Sequence, residues 1–407
     1  MLNKDMIEFL YEAAHIQRWN DHIRTNGFTE LDKQAHKMMI LYVLAKYEEE
    51  DHKAKLNWRA MIEGGIFELL HRIVLTDIKP PIYHELMRVH GSRLNQWVYE
   101  QIEKRDPRMS PEFLAKMKRF FDNPDEYRLE KRLLKAAHYL ATQWEFSIIY
   151  HFNQGIYGIE GTKVAIESEI EDHYDLAGVQ KLSLKGKTSK FVDLVGQLRF
   201  QKRWAQSPRV PETSVMGHVL IVAVFGYFCA LQTGACDERI VNDFLCGLFH
   251  DLPEVLTRDI ISPIKSSIEG LDSLIKDIEK RQVEEKLLPL LPFEWHDDIR
   301  YFTQNEFSNK VRLNGVITQC TADELATVYN KNGMAYKAVD GVMLKCCDNL
   351  AAFVEAYLST EYGVTSKHLL NAMTKLRTQY EDKIIAGVNF GAIYAEFPPI
   401  DKKYVKG

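Results

Sequence analysis

Residues 249–265 read Phe-His-Asp-Leu-Pro-Glu-Val-Leu-Thr-Arg-Asp-Ile-Ile-Ser-Pro-Ile-Lys and place His250, Asp251, Glu254 and Asp259 within one short segment. His218 precedes them on an apolar stretch and Asp348 follows on another, giving the order His, His-Asp, Asp. Two neutral imidazoles and two carboxylates form a mixed nitrogen and oxygen donor set. Such a set suits a hard or borderline divalent ion, with positions left open for water and a phosphate oxygen. Glu254, three residues beyond Asp251, is close enough to orient that water or exchange its proton. Asp259 can hold a substrate hydroxyl or organise the site. Arg203 offers a planar donor fork for phosphate, and Trp204 beside it a rigid wall for a sugar or base.

The surrounding chain reads as helix. Apolar residues recur at three- and four-residue spacing over Met6–Ile16, Glu130–Tyr150, Val215–Leu231 and Asp340–Tyr357, while strand-like alternation is scarce. The expected fold class is therefore all-α. Asp237 reads as the N-cap of a helix from Glu238 through His250, with Pro253 stopping it just after the His-Asp pair. Thr213 or Ser214 reads as the cap of the helix carrying His218, and Gly234 as its close.

The chain also resembles itself. Residues 67–82 align without gaps on residues 249–264, an offset of 182, with six of sixteen positions identical, including Asp77 with Asp259 and Pro81 with Pro263. The same offset carries His36 onto His218; with small shifts Arg18-Trp19 falls on Arg203-Trp204, and Lys135-Ala-Ala-His138 on Lys345-Cys-Cys-Asp348. These matches predict two tandem helical bundles: residues 1–180 as a degenerate copy, residues 191–407 as the active one, and Lys181–Lys190 as a linker. In the first copy the His-Asp pair becomes Glu68-Leu69, the Glu254 position Arg72 and the Asp348 position His138. A Leu cannot bind a metal and an Arg repels one, so catalysis is expected only in the second copy. The interval from Asp251 to Asp348 is 97 residues against 69 from Leu69 to His138, implying an insertion of about 28 within residues 268–330.

Composition narrows the function. The 407 residues carry 46% hydrophobic side chains, enough for two or more cores, and a net charge of −5 from 52 basic and 57 acidic residues well mixed along the chain. No basic field exists to retain long nucleic acid. No uncharged apolar run reaches a confident membrane span, the segment Val215–Leu231 being short and carrying His218, and the N-terminus has acids where a signal peptide has an apolar core. A cytoplasmic protein without a membrane partner is expected. The six cysteines lack zinc-knuckle or disulfide spacing and read as reduced, buried thiols; Cys346 and Cys347 cannot both face a site beside Asp348, because helical neighbours point about 100° apart.

Taken singly these residues have plain structural readings: His218 as a core histidine, Asp348 as a surface carboxylate, Arg203-Trp204 as a packing pair. His296-Asp297, a second His-Asp dipeptide, lies in a charged stretch and reads as a surface pair. The joint order and the repeated framework favour the functional reading. The pattern His218, His250-Asp251, Asp348 resembles the HD-domain metal-dependent phosphohydrolase superfamily. The fuller string, with Arg203-Trp204, Glu254, Thr257-Arg258-Asp259 and Pro263-Ile264-Lys265, resembles its bacterial 5′-deoxynucleotidase (YfbR-like) branch. The resemblance covers roughly residues 190–390 and is specific through 199–265.

That resemblance implies that His218, His250, Asp251 and Asp348 ligate one divalent ion (Mg, Mn, Co, Zn or similar), because dinuclear members place further histidines before the last Asp and only His296 lies there. It implies Glu254 as the catalytic acid or base, with Asp259 serving catalysis or substrate, Arg203, Trp204 and Lys265 as substrate contacts, and Trp204 sensing the 2′ position of the sugar. The expected function is hydrolysis of a (deoxy)nucleoside 5′-monophosphate by a metal-activated water. A nucleotide-binding regulator or sensor, or a phosphodiesterase acting on another nucleotide, are the alternatives. Branch members form homodimers, so either a monomer with pseudo-dimeric halves or a homo-oligomer is expected. Arg258 stands where the branch carries Gly, which would narrow the pocket or add a phosphate contact.

Overall fold

The computed structural model describes residues 2–24, 27–258, 260, 268–331 and 336–400. Asp259, Pro263 and Lys265 fall outside them. The fold is all-α; among the described residues the strands form three short antiparallel hairpins. The chain divides into two compact units, one over Asp5–Gly196, the other over Gln197–Gly407 with Leu2–Lys4.

The first unit contains α1 (Lys4–Tyr11), the strand pair β1 (Gln17–Arg18) and β2 (Phe28–Thr29), α2 (Glu30–Asp51), α3 (Trp58–Leu75), α4 (Pro80–Arg105), α5 (Pro111–Asp122), α6 (Arg128–Asn153), α7 (Ile159–Glu171), α8 (Ala177–Ser183) and α9 (Lys187–Gly196). Helix α2 is buried along almost its whole length, and Thr29 caps it by accepting from Asp32 N at 3.2 Å. The stretch Lys181–Lys190, expected as a linker, instead belongs to this unit. Its helices pack on α2: Ala177 N donates to Glu48 Oε1 at 2.6 Å, Tyr47 and Thr188 share a hydroxyl hydrogen bond of 2.7 Å, and Val179, Leu182, Phe191 and Val195 are buried. Their apolar faces are needed to close this core, so the division falls after Gly196.

The second unit is built around α10 (Val215–Gln232), apolar on every side and buried almost throughout. By length and composition α10 could cross a membrane, but an all-round apolar helix enclosed by protein is a core helix. Ser214 caps it, its hydroxyl accepting from Gly217 N at 3.0 Å. Helix α11 (Asp237–Phe249) begins at Asp237, one residue earlier than expected, with Cys236 at the cap. It lies against α10 so closely that a Cβ on Gly247 would sit 2.8 Å from Ala223 Cα. Only glycine allows that approach.

The chain then turns through 250–253 into the single-turn α12 (Glu254–Thr257) and continues through α13 (Leu271–Gln282), α14 (His296–Thr303), the hairpin β3 (Lys310–Leu313) and β4 (Val316–Gln319), and α15 (Ala322–Lys331). These later elements occupy the stretch expected as an insertion. Helix α16 (Gly341–Glu361) follows, then α17 (Lys367–Tyr380), the β5 (Ile384–Ile385) and β6 (Val388–Asn389) hairpin, and α18 (Phe390–Ala395).

The start of α16 is tied to α11 by buried charge. Asp340 caps α16 through Met343 N at 3.0 Å and receives Arg239 Nη2 at 3.0 Å, while Asp243 accepts from Asp340 N at 2.7 Å. Burial pushes the Asp243 carboxyl up to about 7, with Arg239 opposing. The clamp sets the rotation of α16, and so the direction in which Asp348 points two turns further on.

Candidate metal centre

His218 projects from the first turn of α10, His250 and Asp251 from the end of α11, and Asp348 from the middle of α16. His218 Nε2 lies 3.0 Å from Asp348 Oδ1 and 3.9 Å from Asp251 Oδ2, and His250 Nε2 lies 3.1 Å from that same Asp251 oxygen. One donor atom each from His218, His250 and Asp251 falls within a 4.8 Å cluster. The four expected ligands are thus brought together from three helices.

The second nitrogen of each ring is also directed. His250 Nδ1 is 2.8 Å from Gly247 O, and since a carbonyl only accepts, Nδ1 carries a proton, leaving Nε2 as the nitrogen that faces Asp251 and that, once deprotonated, could ligate a cation. His218 Nδ1 points at Glu355 Oε1, 3.8 Å away, which orients the ring electrostatically. Outward N–H groups aimed at a carbonyl or carboxylate, with Nε2 atoms converging on acids, are the arrangement by which proteins hold imidazole ligands to a metal. The donor set fits a divalent cation.

In the metal-free state the charges of the cluster balance one another. Burial lowers the basicity of His250, but Asp251 outweighs it and raises the imidazole to about 9. For Asp251 burial acts upward, and His250 holds it below the usual carboxylate range; for Asp348 burial is overcome by Lys345 and His218. Without a metal, protonated imidazoles and an ammonium neutralise the two acids.

Glu254 opens α12 directly behind the pair and is buried, its carbonyl accepting from Gln201 Nε2 at 2.9 Å. Trp204 and Arg203 are half-buried, and both are pinned by Glu355, which the sequence reading missed. Glu355 is fully buried and accepts from Trp204 Nε1 at 2.9 Å and Thr213 Oγ1 at 2.7 Å, with Arg203 Nε 3.8 Å away. Burial would raise its carboxyl, but Arg209, His218 and Arg203 hold it below the usual range. Its signal was available: Glu355 stands seven residues after Asp348, two turns along one helix face. His296 lies away from the cluster, its Nε2 3.3 Å from Leu291 O, while the exposed Asp297 pairs with Arg300.

Arg258 sits at φ 66° and ψ 161°, a region glycine favours, which accounts for the Gly that the resembling branch carries there. Replacing Arg258 by Gly is expected to raise stability by about 1 kcal/mol through relief of that strain. Urea unfolding of the two proteins reads the difference, and an unchanged midpoint counts against strain at this position.

The first unit holds related geometry with different chemistry. Arg18 Nε and Trp19 Nε1 both donate to Glu145 Oε2, at 2.8 and 2.9 Å, and Glu145 stands seven residues after His138. Trp19 (φ 54°) and Trp204 (φ 59°) share a left-handed backbone, as do Thr76 (φ 57°) and Arg258. Where the second unit has Val215 and Val219, the first has Lys33 and Lys37, both buried. Lys33 Nζ lies 2.6 Å from His138 Nδ1, and Lys37 Nζ 2.8 Å from Glu68 Oε2. Two lysine side chains thus bond the residues aligned with Asp348 and His250, and burial holds the Lys33 amine well below its ordinary value. His36, aligned with His218, serves elsewhere, its Nε2 3.0 Å from Val192 O.

Comparison with known proteins agrees with the second unit's geometry. A model of the HD domain matches residues 195–377. A 5′-deoxynucleotidase of Vibrio vulnificus is 28% identical over 199 residues, covering 48% of this chain and 89% of that protein. A 5′-deoxynucleotidase of Vibrio atlanticus is 30% identical over 127 residues, 30% of this chain and 65% of the relative, so the match spans just under two thirds of that relative's length. A 4′-phosphooxetanocin A phosphatase of Priestia megaterium is 28% identical over 123 residues, 29% of this chain and 61% of that protein. The matched segment, residues 195–377, holds the two histidines and two aspartates gathered at one point, so this part of the chain is similar to the HD domain.

Proposed function

We propose that the second unit is a cytoplasmic one-metal phosphohydrolase acting on the phosphate monoester of a (deoxy)nucleoside 5′-monophosphate. The observation that carries this is the convergence of both Nε2 atoms on Asp251 and Asp348, with both Nδ1 atoms turned to protein acceptors. His218, His250, Asp251 and Asp348 would hold a divalent ion, whose chemistry when bound would be to acidify a water and polarise a phosphoryl oxygen. Glu254 takes the proton of the attacking water and returns it to the leaving 5′ oxygen as the new O–P bond forms and the old one breaks. Inorganic phosphate and the nucleoside leave. Arg203 grips the phosphate through its planar fork, and Trp204 closes on the sugar where a 2′ hydroxyl would crowd it. Asp259 and Lys265 complete the contacts to substrate hydroxyl and phosphate. The names of the relatives, deoxynucleotidases and a phosphatase of a nucleotide analogue, favour a nucleotide monoester.

We infer also that the first unit is a degenerate copy of the second. Support comes from the paired Arg-Trp-Glu arrangements, the paired positive φ values and the common spacing of seven residues. Lys33 and Lys37 bond His138 and Glu68 there.

Chelator-stripped protein, assayed for phosphate release from ribo- and deoxynucleoside monophosphates with Mg, Mn, Co or Zn restored singly, tests the reading. Turnover of a 5′-monophosphate that depends on added metal, with one metal bound per chain, is the expected result. No turnover with any metal sinks the enzymatic reading, release from diesters alone moves it to a phosphodiesterase, and two metals per chain overturn the degenerate first copy.

A further inference from the structure

We propose that Lys345 is a phosphate-binding residue of the second unit, its ammonium parked on Asp348 in the free protein and transferred to a phosphoryl oxygen when substrate arrives. The proposal rests on the phosphohydrolase reading and adds the group that balances the substrate's charge.

The two oxygens of Asp348 face different partners. Oδ1 lies 3.0 Å from His218 Nε2, on the ligand side, while Oδ2 lies 2.8 Å from Lys345 Nζ, one helical turn earlier on α16. The cluster's other side chains are buried or nearly so, with 0%, 2%, 19% and 15% of side-chain surface exposed at His218, His250, Asp251 and Asp348, whereas Lys345 is 47% exposed. The ammonium therefore stands on the open side of the cluster, where a substrate enters.

A ring holds it there. Lys345 Nζ sits 4.3 Å from the centroid of Phe307, and that ring is 5.6 Å from the imidazole of His250, so one aromatic side chain flanks both ligand and ammonium. The backbone under Phe307 has little room to shift. A Cβ on Gly341 would come 2.5 Å from Phe307 C and 2.4 Å from Ser308 N, and Asn309 Oδ1 accepts from Val342 N at 3.0 Å. Phe307 is thereby seated on the first turn of α16. The aligned lysine of the first unit, Lys135, pairs with Glu169 at 3.2 Å and lies 5.7 Å from the centroid of Tyr139.

Charge counting assigns the role. Asp251 and Asp348 would cancel one divalent ion, while Glu355 against Arg203 and Arg209 leaves one positive charge for the phosphate. A phosphate monoester dianion brings two negative charges, so one further positive charge within reach completes the balance. Lys345 is a compact, three-donor cation on a flexible stem, already at hydrogen-bond distance from a ligand oxygen and facing the opening.

Lys345→Met, Lys345→Arg and Phe307→Ala, compared with the unmutated protein, test this by titration calorimetry with the divalent metal alone and then with inorganic phosphate on the metal-loaded protein. Lys345→Met is expected to bind metal as tightly as the parent or more tightly, because a competing cation has gone. It is expected to bind phosphate at least about tenfold more weakly and to lose about 10- to 100-fold in kcat/KM, in line with the loss of one charge-assisted hydrogen bond. Lys345→Arg should recover part of the phosphate affinity, and Phe307→Ala should weaken it in the same direction. Unchanged phosphate affinity in Lys345→Met, or metal affinity falling in step with it, overturns the proposal, the second outcome marking a merely structural lysine. Metal and phosphate binding that respond as expected in a protein without turnover would refute the hydrolase reading and leave this one standing.

Discussion

Asp251→Asn and His250→Ala are each expected to lower metal-dependent phosphate release at least about a thousandfold, equivalent to about 4 kcal/mol of transition-state stabilisation. Asp251 is the carboxylate between the two rings, 3.1 Å from one Nε2 and 3.9 Å from the other, so its amide removes the charge that draws a cation to both. Loss of the His250 ring removes the lone pair that Gly247 O directs inward. Both variants should bind less metal per chain, as elemental analysis would read. His296→Ala, at the other His-Asp dipeptide, should retain the parent rate, since that ring bonds Leu291 O away from the cluster. Equal activity in Asp251→Asn and the parent would refute the metal site; equal losses in His250→Ala and His296→Ala would show that the assay reports general damage.

Glu355→Ala is expected to cost about 3–5 kcal/mol of stability, the range for removing one partner from a buried charge cluster. The carboxylate is fully buried and accepts from Trp204 and Thr213 while facing Arg203, Arg209 and His218, so truncation leaves arginine charge uncompensated in the interior. Glu355→Gln, which keeps the shape and an acceptor, should cost less and still lower kcat/KM through a loosened Arg203 and Trp204. Its carboxyl is held below the ordinary value of 4.5, so the stability it contributes is present above that pH and lost as acid protonates it. Chemical unfolding at pH 7 and at lower pH checks the sign: the parent loses stability on acidification, and Glu355→Ala loses less. Equal stability of Glu355→Ala and the parent at pH 7 would count against the buried cluster as a structural element.

Much of this was legible in one dimension. Val215–Gln232 carries its apolar residues all round, and burial of such a helix follows from water's exclusion of apolar surface. His218, His250, Asp251 and Asp348 were recognisable because ligand chemistry restricts residue type and because their order recurs against a second framework. Glu355 and Glu145 escaped notice: a glutamate within a helix resembles any solvated glutamate until its helix face is known to point inward. Lys33 and Lys37 were equally silent, since lysine on a long helix ordinarily reaches water. Nor did the Lys-rich stretch before residue 190 reveal that its Leu182 and Thr188 help close the core of the first unit.

The sequence by itself determined the helical class, the four candidate ligands and the absence of such a set in the aligned segment of the first unit, because periodicity and residue chemistry are local properties. Tertiary structure alone decided which imidazole nitrogen faces the acids, that one buried glutamate pins both Arg203 and Trp204, that lysines bond the residues aligned with two of the candidate ligands in the first unit, and that Phe307 stands beneath Lys345. Each of those depends on side chains far apart in sequence meeting at distances of a few ångströms, where charge and hydrogen bonding act with a strength that spacing along the chain does not encode.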